Sequence, residues 1–119
     1  YEIMPSLVGS EMCIRDRMLV ESATDIAAGR ALAYDVLRRL EAGKNIGSAG
    51  SMCKLFCSEM VGRVADRAVQ IHGGMGVIRG FPVERFYRDV RHYRVGEGAS
   101  ESQKIVIARD LLRGVDIGD

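Results

Sequence analysis

The sequence is short of the residues that interrupt helices. Only two prolines, Pro5 and Pro82, break its 119 residues, which leaves long stretches free to form helix. It has no apolar run near the roughly 20 residues a membrane-spanning helix needs. It has no excess charge of either sign. Formal net charge is +1, and Lys and Arg are spread along the chain. This removes the electrostatic case for nucleic acid or an anionic membrane surface. Cysteine is scarce as well. Cys13, Cys53 and Cys57 form neither a CxxC pair nor a metal-ligand cluster. Cys53 and Cys57, four apart, share a helix face and read as small packing residues. An odd count without a secretion signal points to a reducing compartment. With only two histidines, His72 and His92, no metal site is expected. Sustained strand alternation, internal repeats and low-complexity stretches are all missing. What is abundant is apolar character, 47% of the chain. That is enough for the small core of a single domain.

The pattern from Met18 onward is helical. Leu19, Ala23, Ile26, Ala27, Ala33, Tyr34, Leu37 and Leu40 recur at spacings of three and four, so one helix should bury that stripe. Arg38 and Arg39 suit its negative end, and Gly43 can terminate it. A second helix should be capped by Ser48 or Ser51 and run to His72. Its stripe is Met52, Phe56, Met60, Val64 and Ala68, widened by Leu55 and Ile71. Gly73 and Gly74 stop it, and Met75–Phe81 is a glycine-rich connection. Pro82 fits the first turn of a third helix, with Val83, Phe86, Tyr87 and Val90 on its apolar face. Tyr93–Ala99 reads as a loop. Ser100-Glu101-Ser102-Gln103 has the spacing of a capping box opening a fourth helix, with Ile105, Ala108, Leu111 and Leu112 buried. The expected fold is all-α, an antiparallel up-and-down helical bundle. That pattern alone carries no function.

Two loops hold more glycine than a bundle requires. Gln70-Ile71-His72-Gly73-Gly74-Met75-Gly76 follows a helix rather than a strand, so it is not a dinucleotide fingerprint. Its glycines permit close backbone approach to a ligand, or simply end a helix. Arg94-Val95-Gly96-Glu97-Gly98-Ala99-Ser100 sets a carboxylate between two glycines just before a helix start. Such a carboxylate has little steric cover and can point into a cleft. A solvated surface Glu is the ordinary alternative.

The order of these segments is specific. QIHGGMG at Gln70–Gly76, FPVERFYRDVR at Phe81–Arg91, GEGASESQ at Gly96–Gln103 and IVIARDLL at Ile105–Leu112 together resemble the C-terminal region of the acyl-CoA dehydrogenases. KLFCSEM at Lys54–Met60 and the helix Met18–Ala42 match more loosely. The resemblance implies an incomplete C-terminal helical bundle of an FAD-dependent enzyme. That enzyme would convert an acyl-CoA thioester to a 2-enoyl-CoA, passing its electrons to an electron-transfer flavoprotein. Glu97 takes the position of the catalytic base and Gly98 lies against the substrate. Ala99, Ser100 and Glu101 take positions that touch FAD. Gln70, Ile71, His72, Gly73 and Gly74 fit a strip that contacts the FAD of a neighbouring subunit, which implies a homo-oligomer, a dimer or a dimer of dimers. The compartment implied is the cytoplasm in a bacterium and the mitochondrial matrix in a eukaryote.

The sequence also departs from that pattern. Gly96 stands where an aromatic residue often precedes the base, and Ala99 where Thr is common. The resemblance does not extend to the family's flavin-binding and N-terminal domains, so this stretch by itself is expected to expose surfaces they cover and to bind no FAD. Pro5–Arg17 resembles the translation of sequencing-adapter DNA. Residues 1–17 are therefore expected to be a non-native segment, with the helical domain over 18–119. Rival readings are an acyl-CoA oxidase or a flavoenzyme acting on something other than a CoA thioester. A non-catalytic helical interaction module is the rival from another class.

Overall fold

A computed structural model describes residues 11–117, with side chains from Ile14 onward. Residues 1–10 of the leading segment, and Cys13 as a side chain, lie outside the described residues. Helix α1 spans Glu11–Glu41, α2 Gly47–His72, α3 Pro82–Arg91 and α4 Ser100–Leu112, with 3-10 turns at Gly73–Val77 and His92–Arg94. No described residue is in a strand. The all-α expectation holds. Helix α1 begins upstream of the expected start at Met18, and an Arg17–Glu21 pair spans one of its first turns at 2.9 Å.

Helix α2 is the hub. Its neighbours run antiparallel to it, but the four helices make only three rods. On one side Asp25 of α1 meets Arg67 near the end of α2, and Gly29 meets Cys57 and Met60 further back. On the other side α3 and α4 follow one another along α2. Tyr87 and Val90 lie beside Gly62 and Asp66, while Ser100 reaches Glu59 and Asp110 reaches Ser48 near its start. The break between α3 and α4 carries the Glu97 loop, opposite the middle of α2. The result is an elongated slab of 53 × 37 × 26 Å with a radius of gyration of 18.0 Å. A compact chain of this length would measure about 13–14 Å.

That shape leaves little interior. Among the described residues no hydrophobic side chain is fully buried, and the buried polar ones are Ser48, Ser58 and Ser100. The expected apolar stripes of α1 and α4 therefore need correcting, because most of each faces outward. Leu19, Tyr34, Leu37 and Leu40 are all more than half exposed, as are Ile105, Leu111 and Leu112. The less exposed side of α1 carries Ser22, Asp25, Gly29, Leu32, Val36 and Arg39, a three-four seam that mixes polar and apolar residues. Arg67 bonds Asp25 at 2.8 Å and Glu21 at 3.3 Å across it. Gly29 lets the helices close, since a Cβ there would sit 2.8 Å from Met60 Cε. The Arg67 hydrogen bond is the main cause holding the Asp25 carboxyl below its usual range, against the opposing effect of burial.

The helix starts need correcting too. Neither Ser48 nor Ser51 caps α2. Asn45 Oδ1 accepts the Gly47 N–H at 2.9 Å, and the Ser48 hydroxyl donates to Asp110 of α4. The capping box at Ser100 does not form. Ala99 occupies the cap position, no side chain bonds the first turn of α4, and the Ser100 hydroxyl donates across to Glu59 Oε1 at 2.7 Å. A hydroxyl facing a carboxylate on a packed neighbour gains a charge-assisted bond, which is stronger than a bond to a backbone amide. Gly43, at φ +70°, ends α1 as expected, and Pro82 opens α3 in its first turn. Among the described residues no helix is long and apolar enough to cross a membrane.

Candidate active site

The loop between α3 and α4 is held from α2. Lys54 Nζ donates to the Tyr93 carbonyl at 2.8 Å and to the Gly98 carbonyl at 2.6 Å, so one ammonium grips both ends. Glu59, further along α2, accepts from Ser100 at 2.7 Å and from Arg94 Nη1 at 3.4 Å. The Ser100 hydrogen bond, helped by Arg94 and Lys104 and opposed by burial, holds the Glu59 carboxyl below its usual range. Gln103 Nε2 also reaches back to the Gly98 carbonyl at 3.3 Å.

Inside this frame the backbone is unusual. Glu97 has φ +53° and is the one non-glycine residue with positive φ among those described; Gly98 follows at +92°. A non-glycine residue held there costs on the order of 1 kcal/mol, and such strain gathers at functional positions. The Glu97 side chain is exposed and has no hydrogen bond or ion pair among the described residues. It stands at the rim of a groove of about 440 Å³ walled by Lys54, Cys57, Met60, Val61 and His92. Most of that wall is apolar.

Gly96 has a local reason to be glycine. A Cβ there would lie 2.6 Å from His92 Nε2, so the His92 ring fills the space a side chain at 96 would take. The blocking atom is the far edge of an exposed ring that can swing away. Gly96→Ala in a full-length protein should therefore cost about 1 kcal/mol or less, yet reshape the groove. We expect a small change in melting temperature and a several-fold change in KM for acyl-CoA, which His92→Ala in the same protein reverses. An unchanged KM would show that the ring does not shape the site.

The other sequence candidates fall into two groups. Ala99, Ser100 and Glu101 adjoin Glu97 at the start of α4, where the lack of a side-chain cap leaves backbone N–H groups of the first turn open to a ligand. The Ser100 hydroxyl itself is buried on Glu59. Gln70, Ile71, His72, Gly73 and Gly74 lie far off, at the end of α2. From Cys57 to His72 is about 22 Å of helix at ~1.5 Å per residue, so one chain does not bring this strip to its own Glu97. All of the strip but Ile71 is exposed. A Cβ on Gly73 or Gly74 would meet nothing within 4 Å, which leaves the backbone open to a flat ligand edge. His72 Nδ1 lies 2.7 Å from the Ala68 carbonyl, a local helix-end contact.

Sequence reasoning missed Lys54 and Glu59 as parts of this site. Both lie in or beside the KLFCSEM segment, but only their contacts mark them. Cys53 and Cys57 are free and half-buried. Burial first, and Cys57 second, push the Cys53 thiol up to about 11, so it stays protonated near neutrality. Among the described residues no group of three or more His, Cys, Asp or Glu could hold a metal ion.

Residues 10–112 match the family model described as "Acyl-CoA dehydrogenase, C-terminal domain". The chain belongs to the acyl-CoA dehydrogenase family. The solved acyl-CoA dehydrogenase of Geobacillus kaustophilus superposes with a TM-score of 0.79 at 38% identity, covering 87% of this chain and 27% of that one. The caffeyl-CoA reductase-Etf complex subunit CarC of Acetobacterium woodii is 38% identical over 96 residues, 81% of this chain and 25% of that protein. Cyclohexane-1-carbonyl-CoA dehydrogenase of Geobacter metallireducens is 37% identical over 97 residues, 82% of this chain and 26% of that protein. This acyl-CoA dehydrogenase domain thus spans about a quarter of the length of the curated relatives it matches.

Proposed function

We propose that this domain serves an FAD-dependent acyl-CoA dehydrogenase in which Glu97 is the base that takes the α-proton of an acyl-CoA thioester. The observation that carries the proposal is Glu97 itself. Its carboxylate is exposed and unpartnered at a mainly apolar groove, on a left-handed backbone gripped from α2. A thioester α-proton is weakly acidic, so the base must be placed accurately and kept from bulk water. The groove gives the acyl chain an apolar wall, and Gly98, without a side chain, lets the thioester lie close to the loop.

The residues present suit a flavin. Open N–H groups at the start of α4 can meet its polar edge through the backbone of Ala99, Ser100 and Glu101. The bare backbone of Gly73 and Gly74, with Gln70, Ile71 and His72, can meet the flavin of a neighbouring subunit. When bound, FAD would accept the β-hydride. The distance between the strip and Glu97 within one chain favours a homo-oligomer, a dimer or a tetramer, in which each flavin is shared. Electron-transfer flavoprotein is the acceptor we favour, because the Acetobacterium relative is named as a subunit of an Etf complex. Run in reverse, as the same name describes of that reductase, the carboxyl at position 97 returns the proton to the α-carbon.

The test uses the full-length protein. Acyl-CoA should bleach the flavin within one turnover in stopped flow, and electron-transfer flavoprotein should restore its colour faster than oxygen does. Faster return with oxygen would identify an oxidase. No bleaching by any acyl-CoA would overturn the CoA thioester as substrate.

A further inference from the structure

We infer that Lys54 is the positioning residue of the Glu97 loop, holding the base in its left-handed conformation rather than merely joining helices. The inference rests on Glu97 being the base. The ammonium donates to the carbonyl of Tyr93, before the glycine-flanked segment, and to the carbonyl of Gly98, directly after Glu97. Those two bonds bracket Arg94, Val95, Gly96 and Glu97. Such a segment has two glycine-flanked hinges and little side-chain packing. Val95 is 62% exposed and Glu97 makes no bond of its own.

Without Lys54 the segment would relax toward ordinary φ at Glu97, because its other bonds, from the Val95 and Gly96 N–H groups to the His92 carbonyl and a longer one from Gln103 to the Gly98 carbonyl at 3.3 Å, do not offset the strain. Carbonyls bonded to a cation lose that freedom, since charge-assisted hydrogen bonds are the strong ones. Among the described residues no carboxylate lies within 4.0 Å of the Lys54 ammonium, so its charge is not drawn away from the two carbonyls. The α2 backbone that carries Lys54 is the most enclosed part of the fold, packed by α1 on one side and by α3 and α4 on the other. The latch is thus anchored on the enclosed helix and acts on the exposed loop. Glu59 secures only the flanks, through Arg94 and Ser100, and does not reach the carbonyls next to Glu97.

The experiment compares Lys54→Met, Lys54→Arg and Glu97→Gln in the full-length flavoprotein. Flavin content, melting temperature, kcat and KM are read for each. Lys54→Met should keep its flavin while kcat falls about 100-fold, the scale of a misplaced catalytic group, and KM moves less than about threefold. Lys54→Arg, which keeps the charge and the donors, should recover most of that kcat. A kcat for Lys54→Met within threefold of native, while Glu97→Gln is inactive, would overturn the latch and leave the base in place. A fall in flavin content and melting temperature that tracks the fall in kcat, and that Arg does not rescue, would reduce Lys54 to a structural residue. If the Met variant does not fold, Lys54→Gln decides, since its amide can make one of the two bonds. An intermediate kcat supports the latch, and a native one overturns it. An active Glu97→Gln would instead overturn the reading on which the latch rests.

Discussion

Glu97→Gln in the full-length protein is expected to keep its FAD and to slow flavin reduction by acyl-CoA roughly 1,000-fold. Gln has the size and shape of Glu and tolerates the same backbone, so φ +53° at this position is no harder to hold. The carboxylate makes no internal bond, so its loss should leave the Lys54 and Glu59 anchors intact. Melting temperature and flavin absorbance should therefore match native protein. Only the chemistry changes, because an amide does not accept the α-proton. Anaerobic stopped-flow bleaching with saturating acyl-CoA measures the step directly. A near-native rate would overturn Glu97 as the base.

Gly76→Val should be the most damaging single change for stability. Gly76 is buried in the turn after α2, and a Cβ there would sit 2.6 Å from the Val69 carbonyl oxygen and 3.1 Å from Val69 Cα. Both are backbone atoms of a helix packed by α1 on one side and by α3 on the other, so the neighbour cannot easily give way. A loss of roughly 3 kcal/mol is expected, as for overpacking of a tight site. Because the turn carries the Gln70–Gly74 strip, flavin retention should fall with stability. Gly74→Ala is the control: its Cβ would point into open space, at an ordinary helical-turn position. Thermal melts of the two full-length variants should differ clearly, with Gly74→Ala near native. Equal melts would mean that Gly73–Val77 does not hold the shape described.

The sequence made the helices and their order legible because those signals are local. Proline at 82 and glycines at 43 and 73–74 act through their own backbone, and each marks a boundary in the structure. Glu97 was legible for a different reason. Its setting between glycines was weak alone, and the ordered segments around it gave it meaning. The hydroxyls misled. Ser48, Ser51 and Ser100 are all proper cap types, yet Ser48 and Ser100 spend their protons on carboxylates of other helices, Asp110 and Glu59. A partner more than 40 residues away leaves no trace in a four-residue motif.

The apolar stripes show the limit most clearly. Periodicity found the apolar face of α1, but periodicity does not say what that face meets. In this chain α1 turns Asp25 and Gly29 to α2, where an ion-pair seam and a close glycine contact hold the two together, and leaves Leu19, Tyr34, Leu37 and Leu40 outside. The sequence by itself determined the all-helical character, the turn positions and the family-like carboxylate loop, because each is set by bonds within a few residues. Tertiary structure alone decided which face of each helix is inside, and that α3 and α4 share one side of α2. It alone set Lys54 and Glu59 as the supports of Glu97, because those pairings join residues that only the packing of whole helices brings within reach.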